Sequence, residues 1–308
     1  MESFLIAAVA ASTPLIFATL GELVTEKSGS LNLGVEGMML MGAVVGFMAG
    51  FNTGSPAAAL LGAMAAGAGG ALLFAFLTVS LRANQVVTGL TLTIFGKGFA
   101  SFLGQPMLGL VEPKSVAAFF SKKGIPFLED IPFFGPIFFK QDVMVYAGYA
   151  LTALLAVYMF KTKLGLNMRA TGENTAAADA SGVNVTAHKY AHVIFGGALC
   201  GLGGAYLALV EVPVWQSDVV VGRGWIAVAL VIFASWRPVK AFAVSLVFGG
   251  LSILGLRMQS LGLHISQYLV DMLPYLATIA IVVVSAYRNR KGDLPPGDLS
   301  VPYFREER

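Results

Sequence analysis

Charged residues are scarce in this sequence. They make up 12% of its 308 residues, against roughly 25% in an average soluble domain, and 56% of the residues are hydrophobic. The mean hydropathy is +0.76, and several apolar runs approach or exceed the ~18 residues that a membrane-spanning helix needs. These features exclude an ordinary soluble domain and predict an all-α, polytopic helical membrane protein. The net charge of +3 gives no sign of a nucleic-acid partner.

Cysteine, histidine and the common enzyme motifs are also rare or missing. Cys200 is the single cysteine, so no intrachain disulfide is possible. The three histidines (His188, His192 and His264) do not form a metal-ligand set at their spacing. The sequence has no G-x-x-x-x-G-K-[ST] phosphate loop, no H-E-x-x-H and no G-x-S-x-G. We therefore expect neither an enzyme nor a cofactor bound by this chain.

About nine apolar segments are predicted to cross or enter the membrane. The first lacks the basic flank of a cleavable signal peptide and is expected to stay as a span. The second and seventh are short and flanked by glycine, as in the broken or re-entrant helices of transporters. The segments are about 3–20, 37–51, 57–81, 86–103, 143–160, 190–212, 224–236, 241–256 and 267–287.

Lysine and arginine placement predicts the orientation. If the tail, residues 288–308, is cytoplasmic, most basic residues fall on the cytoplasmic side, with the N-terminus outside and the C-terminus inside. Residues 1–287 then form the transmembrane domain, and the polar tail has no apolar face to bury. The loop 105–142 is extracytoplasmic, and its phenylalanines indicate interfacial anchoring or contact with a partner. The loop 161–189 is cytoplasmic.

Polar residues are concentrated between the first two apolar runs. Small residues around Ser28–Gly34 argue against one continuous helix, and Ser30 or Asn32 is expected to cap the second one. The stretch is either a short cytoplasmic turn or a functional half-helix beside a wet path. Two pairs of polar residues lie four apart, so each would share a helix face: Glu22 with Glu26, and Asn32 with Glu36.

Two other features stand out from their surroundings. Lys97 lies inside the fourth predicted span, where it is either a functional group or a lysine that is paired or snorkels within the bundle. Ala176–Ala180, in the loop 161–189, is predicted to be a short helix that Gly182 ends. Such an alanine-rich helix would fit a groove of another protein, although an ordinary surface helix has the same pattern.

The sequence resembles a transporter family at four places. Ala176 to Gly182 resembles the E-A-A-x-x-x-G coupling-helix motif of ABC importer permeases, with Ala176 where the motif has Glu. The longer run R-A-x-G-x-N-x-x-A-A-x-x-x-G, which starts at Arg169, is closer to the branch for simple sugars, nucleosides and branched-chain amino acids. The run G-E-L-x-x-E-K-S-G-x-L-N-L-G-V-E-G-M-M-L resembles the nucleoside-type members that work with basic-membrane-lipoprotein binding proteins. The pieces N-Q-V-V-T-G and G-R-G-W-I-A agree, whereas Thr93 departs, since related chains often have Asn there.

This resemblance implies a permease subunit of a bacterial ABC importer in the inner membrane. Two permease chains, identical or sister chains, would sit on two cytoplasmic ATP-binding subunits that hydrolyse ATP. An extracytoplasmic solute-binding protein would deliver an uncharged solute, with a nucleoside as the first expectation and a simple sugar as the alternative. The residues implied to couple the chain to the ATPase are Arg169, Gly172, Glu173, Asn174, Ala177, Ala178 and Gly182.

The broken helices would line the solute path. Several of the candidate residues are neutral hydrogen-bonding groups, which suits an uncharged solute. A self-contained transporter with an ion site at Lys97, Glu36 or Asp271 is the rival interpretation, and a membrane scaffold is the third. The residues expected along the path are Asn32, Glu36, Gly37, Asn84, Gln85, Thr93 and Lys97.

Overall fold

A computed structural model of the chain describes residues 2–260, 272–288 and 294–305. Helices dominate this part of the chain, which confirms the all-α prediction. One short antiparallel pair, β1 (Lys123–Gly124) with β2 (Lys140–Gln141), lies in the loop 105–142. The helices are α1 (Glu2–Lys27), α2 (Val35–Thr53), α3 (Pro56–Ala75), α4 (Gln85–Gly104), α5 (Lys114–Phe119), α6 (Phe134–Phe138), α7 (Val143–Lys161), α8 (Lys163–Glu173), α9 (Thr175–Ala180), α10 (Val185–Tyr206), α11 (Arg223–Phe233), α12 (Pro238–Ser260) and α13 (Leu273–Arg288).

Within the described residues, six helices are long and apolar enough to cross a membrane. Two of them continue as π-helix, α3 through Phe76–Ser80 and α10 through Leu207–Glu211. The helix α11 and the part of α12 from Pro238 to Leu254 are shorter apolar elements. Asp271 and the start of the ninth predicted segment lie outside the described residues, so the count of about nine spans stays a prediction. The six spans are Glu2–Lys27, Val35–Thr53, Pro56–Ser80, Gln85–Met107, Val143–Lys161 and Val185–Glu211.

The core is the contact between α1, α2, α3 and α10. Small residues let these helices approach closely, as the glycine-rich third and sixth segments predict. At one crossing, a Cβ on Gly42 of α2 would collide with the backbone of Gly201 in α10, and a Cβ on Gly201 would collide with the carbonyl of Ala63 in α3. The helix α10 is therefore mostly enclosed, with 78% of its most apolar stretch buried, whereas the corresponding value for α4 is 28%.

The loop 105–142 is folded and attached to the helix ends. Val111 pairs with Val214 in an isolated antiparallel bridge, which places the segment before α11 beside this loop. At its end, the Asp142 carboxylate caps α7 by accepting the N–H groups of Met144 (2.9 Å) and Val145 (3.1 Å). Burial raises the pKa of Asp142, and these hydrogen bonds act against that shift.

The helix α11 is too short to cross a membrane alone. Its 11 residues span roughly 16 Å, about half of a ~30 Å hydrocarbon core. Its N-terminus lies beside the first turn of α2, through contacts of Glu36. Just beyond its C-terminus, the indole N–H of Trp236 donates to the buried Glu26 carboxylate in the last turns of α1. The short seventh segment is therefore confirmed, and its break or re-entry stays a prediction. The expectation of a short second segment is wrong, because α2 has 19 residues and is long enough to cross.

Candidate functional site

The residues between α1 and α2 form a buried turn, Ser28–Gly34. Non-helical backbone inside an apolar bundle needs hydrogen-bond partners, because an unpaired N–H or C=O is costly there. Side chains from α1 and α4 supply them. Three contacts do this: Asn32 N–H donates to Glu22 (3.0 Å), Leu31 N–H donates to Gln85 (2.7 Å), and the Thr93 hydroxyl donates to the carbonyl of Leu33 (3.0 Å).

The predicted capping of α2 is wrong. Gly34 precedes the first residue of α2 at the cap position, and no side chain caps it. Asn32 instead closes a turn before the helix, because its Oδ1 accepts the N–H of Gly34 at 2.9 Å. Ser30 is buried, and its hydroxyl has no hydrogen-bond partner among the described residues. The turn is therefore held from α1 and α4 and not by a cap of its own.

Glu36, in the first turn of α2, binds the start of α11. Its carboxylate accepts the N–H of Gly222 and the N–H of Gly224, each at 2.7 Å. The first N–H groups of a helix have no partner within the helix, and the positive end of its dipole favours an anion. The N-termini of α2 and α11 thus meet at a buried carboxylate that is 6% exposed.

Two ion pairs lie near this meeting point in space. Lys97 Nζ in α4 is 2.7 Å from Asp218 Oδ2, with side chains that are 60% and 45% exposed. Arg223, the first residue of α11, pairs with Glu211. Lys97 is therefore paired, as one of the two sequence interpretations held, and its partner comes from the segment before α11.

The other predicted path residues differ in their surroundings. Gly37 faces α4, and a Cβ on Gly96 of α4 would lie 2.5 Å from the Cα of Gly37, so this contact is helix packing. Asn84 is exposed and caps α4 by accepting the N–H of Val87 at 3.0 Å. The structure brings Asn32, Gln85 and Thr93 together around the turn and leaves Asn84 apart from them. Contact of any of them with solute stays a prediction.

The helices α8 and α9 form a corner in the loop 161–189. Asn174 ends α8 and caps α9, because its Oδ1 accepts the N–H of Ala177 at 2.8 Å. The end of α9 has Gly182 at φ +83°. Gly182 N–H donates to the carbonyl of Asp179 (2.9 Å) and Val183 N–H to that of Ala178 (3.1 Å), which is the Schellman arrangement. The predicted helix and its end at Gly182 are confirmed.

The remaining predicted coupling residues lie in the same two helices. Gly172 packs against the end of α1, where its Cα is close to Gly29. The guanidinium of Arg169 lies 5.1 Å from the ring centre of Phe160 in α7. Ala178 is buried, whereas Glu173, Asn174, Ala177 and Gly182 are exposed. The corner therefore shows a narrow surface of small and polar residues next to the end of α1.

Comparison with known proteins assigns the chain to a family. Residues 4–282 match the family described as branched-chain amino acid transport system / permease component. The chain belongs to this permease family. It is 37% identical to a Haloferax volcanii chain provisionally named glucose ABC transporter permease protein TsgC13, over 97% of each chain.

Two bacterial relatives carry nucleoside names. The chain is 34% identical to the guanosine ABC transporter permease protein NupQ of Bacillus subtilis, over 96% of this chain and 95% of the relative. It is 33% identical to the nucleoside ABC transporter permease protein NupC of Lactococcus lactis subsp. cremoris, over 89% of each chain. No solved structure matches the chain significantly.

These relationships confirm the predicted family and class. The chain is a permease subunit of an ABC importer and a multi-pass inner-membrane protein. A permease component is the membrane part of such a system, which works with an ATP-binding subunit and a solute-binding protein. The rival interpretation as an ion-coupled transporter is set aside, since relatives over nearly the full length are ABC permeases.

Sequence reasoning missed the partners of the permease's charged residues. Asp218 and Arg223 are the only charged residues between Glu211 and Arg237. Charges that flank a short, glycine-bordered helix are a signal for an ion pair at a helix break. Their partners were not deducible from spacing, because Lys97 and Asp218 are 121 residues apart.

Proposed function

We propose that this permease carries an uncharged solute, a nucleoside, inward across the membrane with ATP that a partner subunit hydrolyses. The observation that carries the proposal is the composition of the surface near the start of α11. Its charged side chains occur as opposite pairs, the exposed Lys97 with Asp218 and the half-buried Arg223 with Glu211. Such a surface offers polar contacts without net charge, which suits a neutral, hydrogen-bonding solute. The names of NupQ and NupC support the nucleoside assignment.

The path in this proposal follows the junction between the N-termini of α2 and α11. Discontinuous helices place free backbone groups at the centre of many transporters. Here the Glu36 carboxylate occupies the N–H groups at the start of α11, so the solute would pass the exposed Lys97–Asp218 pair beside it. Asn32, Gln85 and Thr93 then have a supporting role, because each already binds the turn between α1 and α2.

The proposed topology has about nine spans, with the N-terminus outside and the C-terminus inside. Two sets of contacts support opposite sides for the two long loops. The end of α1 contacts Gly172 of the loop 161–189 and the tail at Ser300, whose N–H donates to Gly29. The loop 105–142 instead pairs with Val214, ahead of α11.

The proposed assembly has two permease chains, identical or sister, above two ATP-binding subunits. The helix α9 would enter a groove of the ATP-binding subunit, since its outer face consists of small residues such as Ala176 and Ala177. The open side of α4 would face the second permease. Large apolar side chains project from it, for example Ile94 at 75% exposed and Phe102 at 78%.

Uptake of radiolabelled nucleosides tests the function. Cells or proteoliposomes with the complete transporter are compared with those that lack this chain, with ribose and branched-chain amino acids as competitors. Loss of nucleoside uptake without the chain, and no competition by ribose, is the expected result. Transport by the purified chain alone, driven by an ion gradient, would overturn the ABC assignment.

A simple sugar is the second candidate. The observation in its favour is the 37% identity to the chain provisionally named for glucose. If cells without this chain keep nucleoside uptake and lose sugar uptake, the substrate is a sugar. The proposed assembly with ATP-binding subunits would still hold.

A further inference from the structure

The C-terminal segment, residues 294–305, lies against the α8–α9 corner. The expectation that this tail has no apolar face to bury is wrong. Pro296 is buried, and Leu299 packs against the main hydrophobic core. Gly297 comes so close to the carbonyl of Glu173 that a Cβ there would lie 2.6 Å from that oxygen. The tail is therefore seated in the fold at the site of the proposed coupling surface.

Asp298 binds the start of α9. Its backbone N–H donates to the carbonyl of Gly172 at 2.9 Å, and its carboxylate accepts the N–H of Thr175 at 2.6 Å. One residue of the tail thus bridges the last turn of α8 and the first residue of α9. The carboxylate also matches the positive end of the helix. This contact fixes the angle between the two helices from outside the loop that contains them.

Tyr303 and Arg305 bind the other end of α9. The Tyr303 hydroxyl donates to the carboxylate of Asp179. The Nε of Arg305 lies 3.2 Å from the same oxygen, Oδ2. Asp179 is the second-last residue of α9, and its side chain is 13% exposed. The tail therefore contacts both ends of α9, whose six residues lie beside the ten tail residues 296–305.

The same tail is attached to the transmembrane helices. The N–H of Ser300 donates to the carbonyl of Gly29, just after α1, at 3.3 Å. The Arg82 guanidinium, in the turn before α4, lies 4.5 Å from the ring centre of Phe304. Any displacement of α9 relative to α1 or α4 must therefore strain these tail contacts.

We propose that residues 296–305 are a strap that positions the coupling helix α9 and links its movement to α1 and α4. Asp298 and Tyr303 are positioning residues in this proposal. It rests on the proposed function, in which α9 is the contact with the ATP-binding subunit. Without the strap, the ATP-binding subunit still binds and hydrolyses ATP, but less of the movement of α9 reaches α1 and α4. The expected defect is a lower yield of solute per ATP.

Truncation tests the strap directly. One variant of the full transporter ends at Asp293 and lacks the strap, and a matched control ends at Arg305 and lacks only the last three residues. Both are reconstituted with the ATP-binding subunit and the binding protein, and solute uptake and ATP hydrolysis are measured in the same vesicles. We expect the solute-to-ATP ratio to fall at least about fivefold in the strap deletion, with the low end of coupling between distant binding sites as the guide. The control retains the ratio of the unmodified chain.

Point variants keep the test valid if the deletion does not fold. Asp298→Ala removes the acceptor for Thr175, whereas Asp298→Asn keeps an acceptor oxygen, so the ratio should fall further in the first. Tyr303→Phe removes only the hydroxyl that binds Asp179. If the tail merely stabilises the fold, the strap variants should have a lower unfolding temperature and an unchanged solute-to-ATP ratio. That result, with unchanged ratios in all strap variants, would overturn the proposal.

A variant of α9 itself separates the two hypotheses. Ala177→Trp puts a bulky side chain on the exposed face of α9, away from the strap contacts. If this variant loses uptake while Asp298→Ala and the deletion keep a normal solute-to-ATP ratio, α9 is the coupling helix and the strap proposal is wrong. If Ala177→Trp transports normally, the coupling assignment is wrong and the strap proposal falls with it.

Discussion

Glu36 and Gly224 hold the N-termini of α2 and α11 together, since Glu36 Oε2 accepts the N–H of Gly224 at 2.7 Å. The approach is so close that a Cβ on Gly224 would lie 2.5 Å from both the Cα and the N of Glu36. Glycine is thus required at this position by contact with backbone, which no rotamer change relieves. This contact fixes the position of the N-terminus of α11, and with it the position of the nearby Lys97–Asp218 pair.

Substitution of Gly224 by alanine should separate α2 from α11. We expect Gly224→Ala to lower the free energy of unfolding by roughly 1–3 kcal/mol, as for other overpacked sites, and to reduce uptake. Gly69→Ala is the matched control, because a Cβ at Gly69 in α3 meets no atom within 4 Å. Thermal unfolding in detergent measures both. Equal unfolding temperatures for the two variants would contradict the close contact.

Charge changes at the Lys97–Asp218 pair should affect transport more than stability. Both side chains are largely exposed, and exposed ion pairs contribute little to stability. Lys97→Gln or Asp218→Asn leaves one unpaired charge on the proposed path and should reduce uptake of a neutral solute. The exchanged pair, Lys97→Asp with Asp218→Lys, should recover part of it. An exchanged pair as inactive as the single variants would argue against electrostatic neutrality as the requirement.

The features predicted correctly from the sequence depend on neighbours along the chain. The helix of α9 and its end at Gly182 need only alanine propensity and a glycine that adopts positive φ. The apolar runs likewise specify helices by composition. The contacts of the site do not have this property: Glu36 is 186 residues from Gly222, and Asp298 is 123 from Thr175. No local pattern reports such pairs.

The neutral polar residues show a second limit of sequence reasoning. Gln85 and Thr93 have the chemistry of solute-binding groups, and for that reason the sequence predicts them along the path. In the fold their oxygen atoms bind the backbone of Leu31 and Leu33. A buried non-helical turn must satisfy its own N–H and C=O groups first. Residue type alone does not distinguish these two uses.

Thr93 provides a test of this supporting role. Thr93→Val keeps the shape of the side chain and removes the hydrogen bond to the Leu33 carbonyl, which should cost about 1 kcal/mol of stability. Uptake of every solute should fall by the same factor, so competition between nucleoside and sugar stays unchanged. Thr91→Val is the control, because the Thr91 hydroxyl bonds within its own helix. A changed competition ratio for Thr93→Val alone would show contact with solute.

Glu112 should make the stability of the loop 105–142 depend on pH. It is buried, its Oε2 has no hydrogen-bond partner among the described residues, and burial raises its pKa to about 7. The unfolded chain, with its ordinary pKa near 4.5, releases this proton first. Stability should therefore fall as the pH rises from about 4.5 to about 7 and then level off.

Glu112→Gln removes this titration. The unfolding temperature of the variant minus that of the unmodified chain should grow between pH 5 and pH 7 and stay constant above pH 7. Asp130→Asn, the same chemical change at an exposed position in this loop, is the control. A difference that does not vary with pH would mean that Glu112 titrates alike in the folded and unfolded chain.

Gly182 tests whether the shape of α9 matters for coupling. Its φ of +83° costs a residue with a Cβ about 1–2 kcal/mol, although a Cβ there meets no atom within 4 Å. Strain, and not a clash, is thus the expected effect of Gly182→Val, which should unwind the end of α9 and displace Asp179 from the strap. Membrane insertion and ATP hydrolysis should persist while uptake falls. Gly182→Asn should transport better than the valine variant, because asparagine tolerates this backbone conformation. Equal uptake by the two variants would show that the backbone at Gly182 does not set the coupling.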